Sequence, residues 1–543
     1  MPGANATAGN AATRQRGNAA TRQRGNAATR RPEAAAAALQ PAESPAMTGR
    51  RLALLAFAFA AALGGAVRAA APPDGTGALQ PCRIGGLPHE VRCGVLARPL
   101  DPARPDGPRI DLHYVVVPAT ALHKREDPVF FLAGGPGQSA IALAPRVMPW
   151  FARLARRRDV VFIDQRGTGR SAPLECERDD ARPLAERIDV DRVIARLRDC
   201  RRRLEALPHG DLRQYTTSVA MADADAVRAA LGAPRVNLVG ASYGTRAALE
   251  YLRQFPQRVR RVVIDGVAPP DMALPQSQAL DAQAALDAVF ASCEAEPACR
   301  ARHPGLARRW QALLDGLPTR TAIVDPVSGA PTAVTLTREA VAAAVRAPLY
   351  APAFAAALPF AIGEALAGRY APLAGLAGSL DGGSRAGEVA QGMHFAVTCA
   401  EDASRLAETE PPGLGAAFLR PYREVCADWP RAALPAGFRS LSRSPAPVLA
   451  FSGTLDPVTP PRHGQRVVHA LGESGAGGLA RHVVVPNAGH GVLGIGCASD
   501  VMQRFVDADS DAEALAVDAD CLMRLPRPPA FEPARPQAGS VPR

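Results

Sequence analysis

The pentapeptide Gly240-Ala241-Ser242-Tyr243-Gly244 sets a serine between two glycines, after the apolar run "RVNLV" and before a stretch of helical periodicity. A G-x-S-x-G string at a strand-to-helix turn lifts a serine oxygen clear of a sheet, at a helix N-terminus that favours negative charge. Serine at its ordinary pKa is a poor nucleophile and needs a base, which in turn needs an orienting acid. Asp456 in "SGTLDPVTP" and His490 in "NAGHG" each follow an apolar run and come in the order Ser, Asp, His. Singly, they read as a turn-forming Asp before Pro457 and a surface His beside glycine. Together with the serine elbow they read as a catalytic triad. Acyl transfer also needs donors for the oxyanion. The backbone amides of Tyr243 and of Gly135, within "GGPG" at 134–137, are the candidates. This chemistry requires no metal and no organic cofactor.

These residues need a scaffold that ends several strands at one edge. The stretches 95–100 and 110–117 alternate like strands. The apolar runs in 128–140, 159–171, 235–244, 258–266, 446–460 and 480–491 are short and continuous, as in strands buried on both faces. Helical stretches fall at about 141–157, 189–206, 217–231 and 243–254. The third has Thr217 or Ser218 as its expected N-cap and Gly232 as its stop. This alternation predicts an α/β fold with a mostly parallel, doubly wound sheet. Its first part spans 71–269 and its second part 441–543. Between them, 270–440 is rich in Ala, Leu and Pro and shows no regular strand series. It is expected to be an inserted, mainly helical cap over the edge where such sheets bind ligands.

The chain has 543 residues, 47% hydrophobic and 21% charged, ordinary for globular proteins. Its formal charge of +11 is concentrated at the N-terminus, where the first 70 residues hold nine Arg against two Glu. Lys124 is the only lysine. No basic stripe interleaved with aromatics points to nucleic acid. Residues 1–46 include the octamer "GNAATRQR" at 9–16 and 17–24, which has no apolar face and reads as a disordered leader. In 47–70, Arg50 and Arg51 precede an apolar stretch at 52–67, and small residues follow at 69–71. This reads as a signal peptide, with no stable membrane insertion after cleavage. Export, periplasmic or secreted, predicts disulfides. The ten cysteines all follow that segment and fall into neighbours. Sequential pairing is the expectation (Cys82 with Cys93, Cys176 with Cys200, Cys293 with Cys299, Cys399 with Cys426, Cys497 with Cys521), although spacing leaves the connectivity open. No cysteine or histidine spacing suits a metal.

Taken together, GGPG (134–137), DQRGTGRS (164–171), GASYGT (240–245), DGV (265–267), PVLAFSGTLDPVTP (447–460) and NAGHG (487–491) resemble the prolyl iminopeptidase and secreted tripeptidyl aminopeptidase branch of the α/β hydrolases. The resemblance covers about 80 to 540, weakly over the cap, and Cys497 and Cys521 fit the tail of the tripeptidyl type. One departure is Ala133, where a His often precedes GGPG. The resemblance implies a serine exopeptidase acting on peptides with a free N-terminus. It also implies acidic side chains that hold the substrate amine, for which Glu401 and Asp402 in "VTCAED" are the candidates. Asp164 and Arg166 read as loop-fixing residues near the site, and His394 and His482 as residues of packed elements. The alternatives are an exported carboxylesterase with the same triad and a non-catalytic binding protein on this scaffold. Oligomeric state is not legible in the sequence.

Overall fold

The computed structural model describes residues 79–177, 182–326, 328–378, 388–407 and 414–533. The expected leader and signal segment lie outside the described residues. Nine strands form one sheet in the order β1-β2-β3-β5-β4-β6-β7-β10-β11. They are β1 (Gln80–Cys82), β2 (Val91–Pro99), β3 (Arg109–Val117), β4 (Val129–Leu132), β5 (Val160–Ile163), β6 (Val236–Ala241), β7 (Val259–Asp265), β10 (Val448–Gly453) and β11 (Ala480–Val485). From β5 to β11 every pairing is parallel, while β1, β2 and β3 make an antiparallel edge. The sheet is thus mostly parallel and doubly wound, with β1 the strand that periodicity did not announce.

The continuous apolar runs have a physical reason. Successive side chains point to opposite faces, and here both faces are covered. Phe130, Leu238, Ile264 and Ala450 face one apolar cluster, while Phe131, Val239, Val263 and Phe451 face another. Helices expected at the sheet lie at Ala140–Phe151, Val190–Glu205, Thr217–Ala230 and Tyr243–Gln254. The first stops at Phe151, and a 3₁₀ turn covers Leu154–Arg156. The third is capped by Thr216, not by Thr217 or Ser218. Thr216 keeps extended backbone geometry and its side chain accepts from Val219 N.

Between β7 and β10 lies the mainly helical region expected as the cap. Its own apolar cluster joins Leu286, Phe290, Trp310, Val345 and Ile362. It also contains one antiparallel hairpin, β8 (Thr319–Val324) with β9 (Pro331–Leu336), which periodicity did not announce. Threonine and alanine occupy half of its positions, so the alternation carries little hydrophobic contrast. The later helices Gln391–Glu401 and Leu414–Ala427 pack differently. Met393, Phe395, Val397 and Val425 share a cluster with Tyr215 and Tyr243 of the sheet domain. Five disulfides are formed, in the sequential pattern. Among the described residues no helix is long and apolar enough to cross a membrane.

Candidate active site

Parallel strands end at one edge of the sheet, and the chemistry-bearing residues sit there. Ser242 follows β6 directly and has φ 55° and ψ −123°, a conformation that side chains other than glycine rarely adopt. Two glycines make the turn possible. A Cβ on Gly240 would collide with the Gly244 carbonyl, and one on Gly244 would collide with the Leu132 carbonyl at the end of β4. The strain at Ser242 is held from below, because its amide donates to the Asp265 carbonyl at 2.8 Å.

Asp456 lies three residues beyond β10 and is buried, with 3% exposure. Its Oδ1 accepts from the amides of Val458 (2.8 Å) and Thr459 (2.9 Å), and its Oδ2 accepts from the Thr459 hydroxyl at 2.7 Å. His490 Nδ1 lies 2.9 Å from Oδ2 and 3.1 Å from Oδ1. A carboxylate only accepts, so Nδ1 carries the proton and Nε2 keeps its lone pair. Burial alone would push the imidazole pKa down, but the Asp456 charge and hydrogen bond, with Asp265 behind them, hold it above its ordinary value. Conversely, burial would raise Asp456, yet His490 and the Thr459 donors hold its carboxyl below the usual range.

Ser242 and His490 are both anchored to the end of β7. The Asp265 carbonyl takes the Ser242 amide, while its carboxylate accepts from the amides of Val492 (2.7 and 2.9 Å) and Leu493 (2.8 Å). A Cβ on the next residue, Gly266, would stand 3.2 Å from His490 Cε1. Among the described residues the Ser242 hydroxyl makes no hydrogen bond to His490; such bonds are often long until substrate orders the site. Burial raises the Asp265 carboxyl to about 6, against the pull of the two amides. From the cap, the Tyr350 carbonyl accepts the His490 amide at 3.1 Å, and the two rings meet edge to face at 5.3 Å. Neither Thr459, Asp265 nor Tyr350 was singled out from the sequence. The DGV and DPVTP strings carry the first two, whereas nothing local marks Tyr350.

The glycine loop 134–137 lies against the elbow, and a Cβ on Gly134 would be 3.2 Å from Ser242 Cβ. Among the described residues the Gly135 and Tyr243 amides have no acceptor, which leaves two donors free beside Ser242. Asp164 fixes this loop from the side, accepting from the Ser139 hydroxyl (2.6 Å) and the Ile141 amide (3.1 Å). Arg166 is buried on Asp223 at 2.7 Å and on the Leu100 carbonyl.

Glu401 and Asp402 are placed otherwise than an amine-binding pair requires. Both are fully buried, and Arg246 of the helix Tyr243–Gln254 holds them at 3.3 and 3.1 Å. Glu401 also accepts the Thr217 amide at 2.8 Å. Burial raises Glu401 to about 7, with Arg246 opposing. Neither carboxylate offers an open face to a substrate ammonium. A pocket of about 160 Å³ opens between the cap helix Leu274–Ala295 and the 454–460 loop, with Asp456, Glu296 and Arg527 in its wall. No group of three or more His, Cys, Asp or Glu among the described residues is arranged to hold a metal.

A family model described as the alpha/beta hydrolase fold matches residues 127–495. The chain belongs to this family. Over 201 residues this α/β hydrolase is 34% identical to the tripeptidyl aminopeptidase of Streptomyces lividans, covering 34% of this chain and 36% of the relative. It is 33% identical over 225 residues to the serine protease Hip1 of Mycobacterium tuberculosis, covering 38% and 43%. It is 29% identical over 249 residues to carboxylesterase B of the same species, covering 42% and 46%. The matched stretch of this α/β hydrolase therefore spans less than half the length of these relatives. Among solved structures, the proline iminopeptidase-related protein of Thermus thermophilus is 18% identical with a TM-score of 0.30, covering 74% of this chain and 91% of that one.

Proposed function

We propose that this α/β hydrolase is an exported serine aminopeptidase that releases residues or short peptides from free peptide N-termini. The observation that carries the reading is the buried Asp456–His490 pair, anchored at the strand end that also holds the strained Ser242. His490 Nε2 takes the proton from Ser242 Oγ as that oxygen bonds to the scissile carbonyl carbon. The Gly135 and Tyr243 amides donate to the oxyanion. The C–N bond then breaks as His490 returns the proton to the leaving amine, and water cleaves the resulting ester by the same route. Names of relatives over the matched stretch support peptidase chemistry. The five disulfides support export.

The test is turnover of a tripeptidyl anilide. Ser242→Ala should abolish it with an unchanged thermal melt, and a fluorophosphonate should label the parent protein at Ser242 only. Near-normal turnover by the variant refutes the assignment. A second reading, an exported carboxylesterase, is favoured by one observation: Glu401 and Asp402 are closed off by Arg246. N-acetylating the anilide separates the two. An aminopeptidase loses the blocked substrate, while an esterase prefers simple esters and is indifferent to the amine.

A further inference from the structure

His394 reads as a packed residue in the sequence, yet its ring faces the glycine loop beside Ser242. It sits in the first turn of the helix Gln391–Glu401. Its Nδ1 lies 3.2 Å from the Pro136 carbonyl and its Nε2 lies 3.0 Å from the Tyr422 hydroxyl. A carbonyl oxygen can only accept, so Nδ1 carries the proton and Nε2 accepts from Tyr422. Burial depresses the imidazole to about 4, so the ring is neutral throughout the working range.

Further contacts join the same segments. Ala390 N donates to the Gly137 carbonyl at 2.9 Å, and Gln138 forms an antiparallel bridge with Val389. A Cβ on Gly137 would stand 2.8 Å from the Ala390 carbonyl, so the loop fits against the helix start without slack. Behind His394, Tyr422 is held by Phe395 at 5.4 Å and Phe418 at 5.4 Å, and the disulfide Cys399–Cys426 ties its helix to that of His394. The Pro136 and Gly137 carbonyls are therefore both turned toward this helix. The Gly135 amide has no acceptor among the described residues, and its neighbour Gly134 lies against Ser242.

We propose that His394, oriented by Tyr422, is a positioning residue that sets the oxyanion loop through the Pro136 carbonyl. The proposal rests on the reading of Ser242 as nucleophile and of the Gly135 amide as an oxyanion donor. It predicts loss in the transition state with little loss in substrate binding. Misplacing a reacting group by about 1 Å can cost about 10²-fold, and losing one oxyanion donor about 10²–10³-fold.

The experiment compares His394→Phe, His394→Asn and Tyr422→Phe with the parent chain on a tripeptidyl anilide, with thermal melts in parallel. His394→Phe should lower kcat by about 10- to 100-fold with KM within about threefold. Asn presents an N–H where Nδ1 stood and should restore kcat to within a few-fold of the parent. Tyr422→Phe keeps the ring and removes only the hydroxyl, so it should show a smaller loss of kcat. It also serves if His394→Phe does not fold. Affinity for a peptide aldehyde, which forms a tetrahedral adduct on the serine, should fall in step with kcat/KM across the series. Unchanged kcat in His394→Phe, or in Tyr422→Phe should the former not fold, overturns the proposal. So do equal losses in the Phe and Asn variants, or a rise in KM alone. Failure of the underlying reading has a separate signature, which is activity surviving in Ser242→Ala.

Discussion

At the residue scale, the Asp456–His490 pair sets the expected pH behaviour. In the proposed mechanism the neutral imidazole is the base, and its pKa is held above the ordinary 6.5 by Asp456. Activity should therefore fall as pH drops, with the acid limb of kcat/KM centred above 6.5, measured on the anilide between pH 5 and 9. Asp456→Asn removes the opposing charge and leaves burial in control, so that limb should move below 6.5 while kcat drops by about 10⁴. Thr459 offers a finer probe. Its hydroxyl donates 2.7 Å to Asp456 and also lies 3.2 Å from His490 Nδ1. A hydrogen bond to a charged group contributes about 1.5–3 kcal/mol, so Thr459→Val should lower kcat by about 10- to 100-fold, read by steady-state kinetics. Ser242, Asp456 and His490 were legible as candidates because acyl transfer demands those residue types in that order, each after a strand, and the structure brings Asp456 and His490 together. Asp265 and His394 were not, because their partners are backbone groups of distant segments. The Val492 amide is 227 residues from Asp265, and the Pro136 carbonyl is 258 residues from His394.

At the element scale, the buried Arg246 cluster ties the helix Tyr243–Gln254, which follows Ser242, to the helix Gln391–Glu401. Resemblance alone directed Glu401 and Asp402 toward the substrate, since a sequence does not reveal which arginine will claim a carboxylate. Glu401→Gln is expected to leave KM for a free-amine substrate within about twofold, read from initial rates. Arg246→Ala should instead cost about 3–5 kcal/mol of stability, read by thermal or denaturant unfolding, because fully buried Glu401 loses its cationic partner and Asp402 keeps only Arg405. The disulfide Cys399–Cys426 closes a separation of 27 residues. Replacing both cysteines by serine should destabilise the chain by about 3–4 kcal/mol on the loop-entropy account, with unfolding midpoints as the measurement. The main strands were readable as apolar runs, whereas β8 and β9 were hidden by their threonines and alanines.

At the scale of the whole molecule, the cap is tied to the rest of the chain at two separate points. The Tyr350 carbonyl takes the His490 amide, and the C-terminal segment crosses the cap, where Phe531 donates to the Ala356 carbonyl at 2.9 Å and packs on Phe360. The chain fold was legible from strand order and motif spacing, because a mostly parallel sheet leaves few ways to route its connections. How the insert meets the sheet was not, since its contacts are carbonyls and ring edges without a sequence signature.

The Tyr350 contact bears on how such enzymes diversify. A specificity module that merely covered a cleft could be exchanged like a cassette between related scaffolds. Here the imported segment would have to supply a carbonyl for the His490 backbone amide, or the recipient would inherit a new pocket and a displaced imidazole.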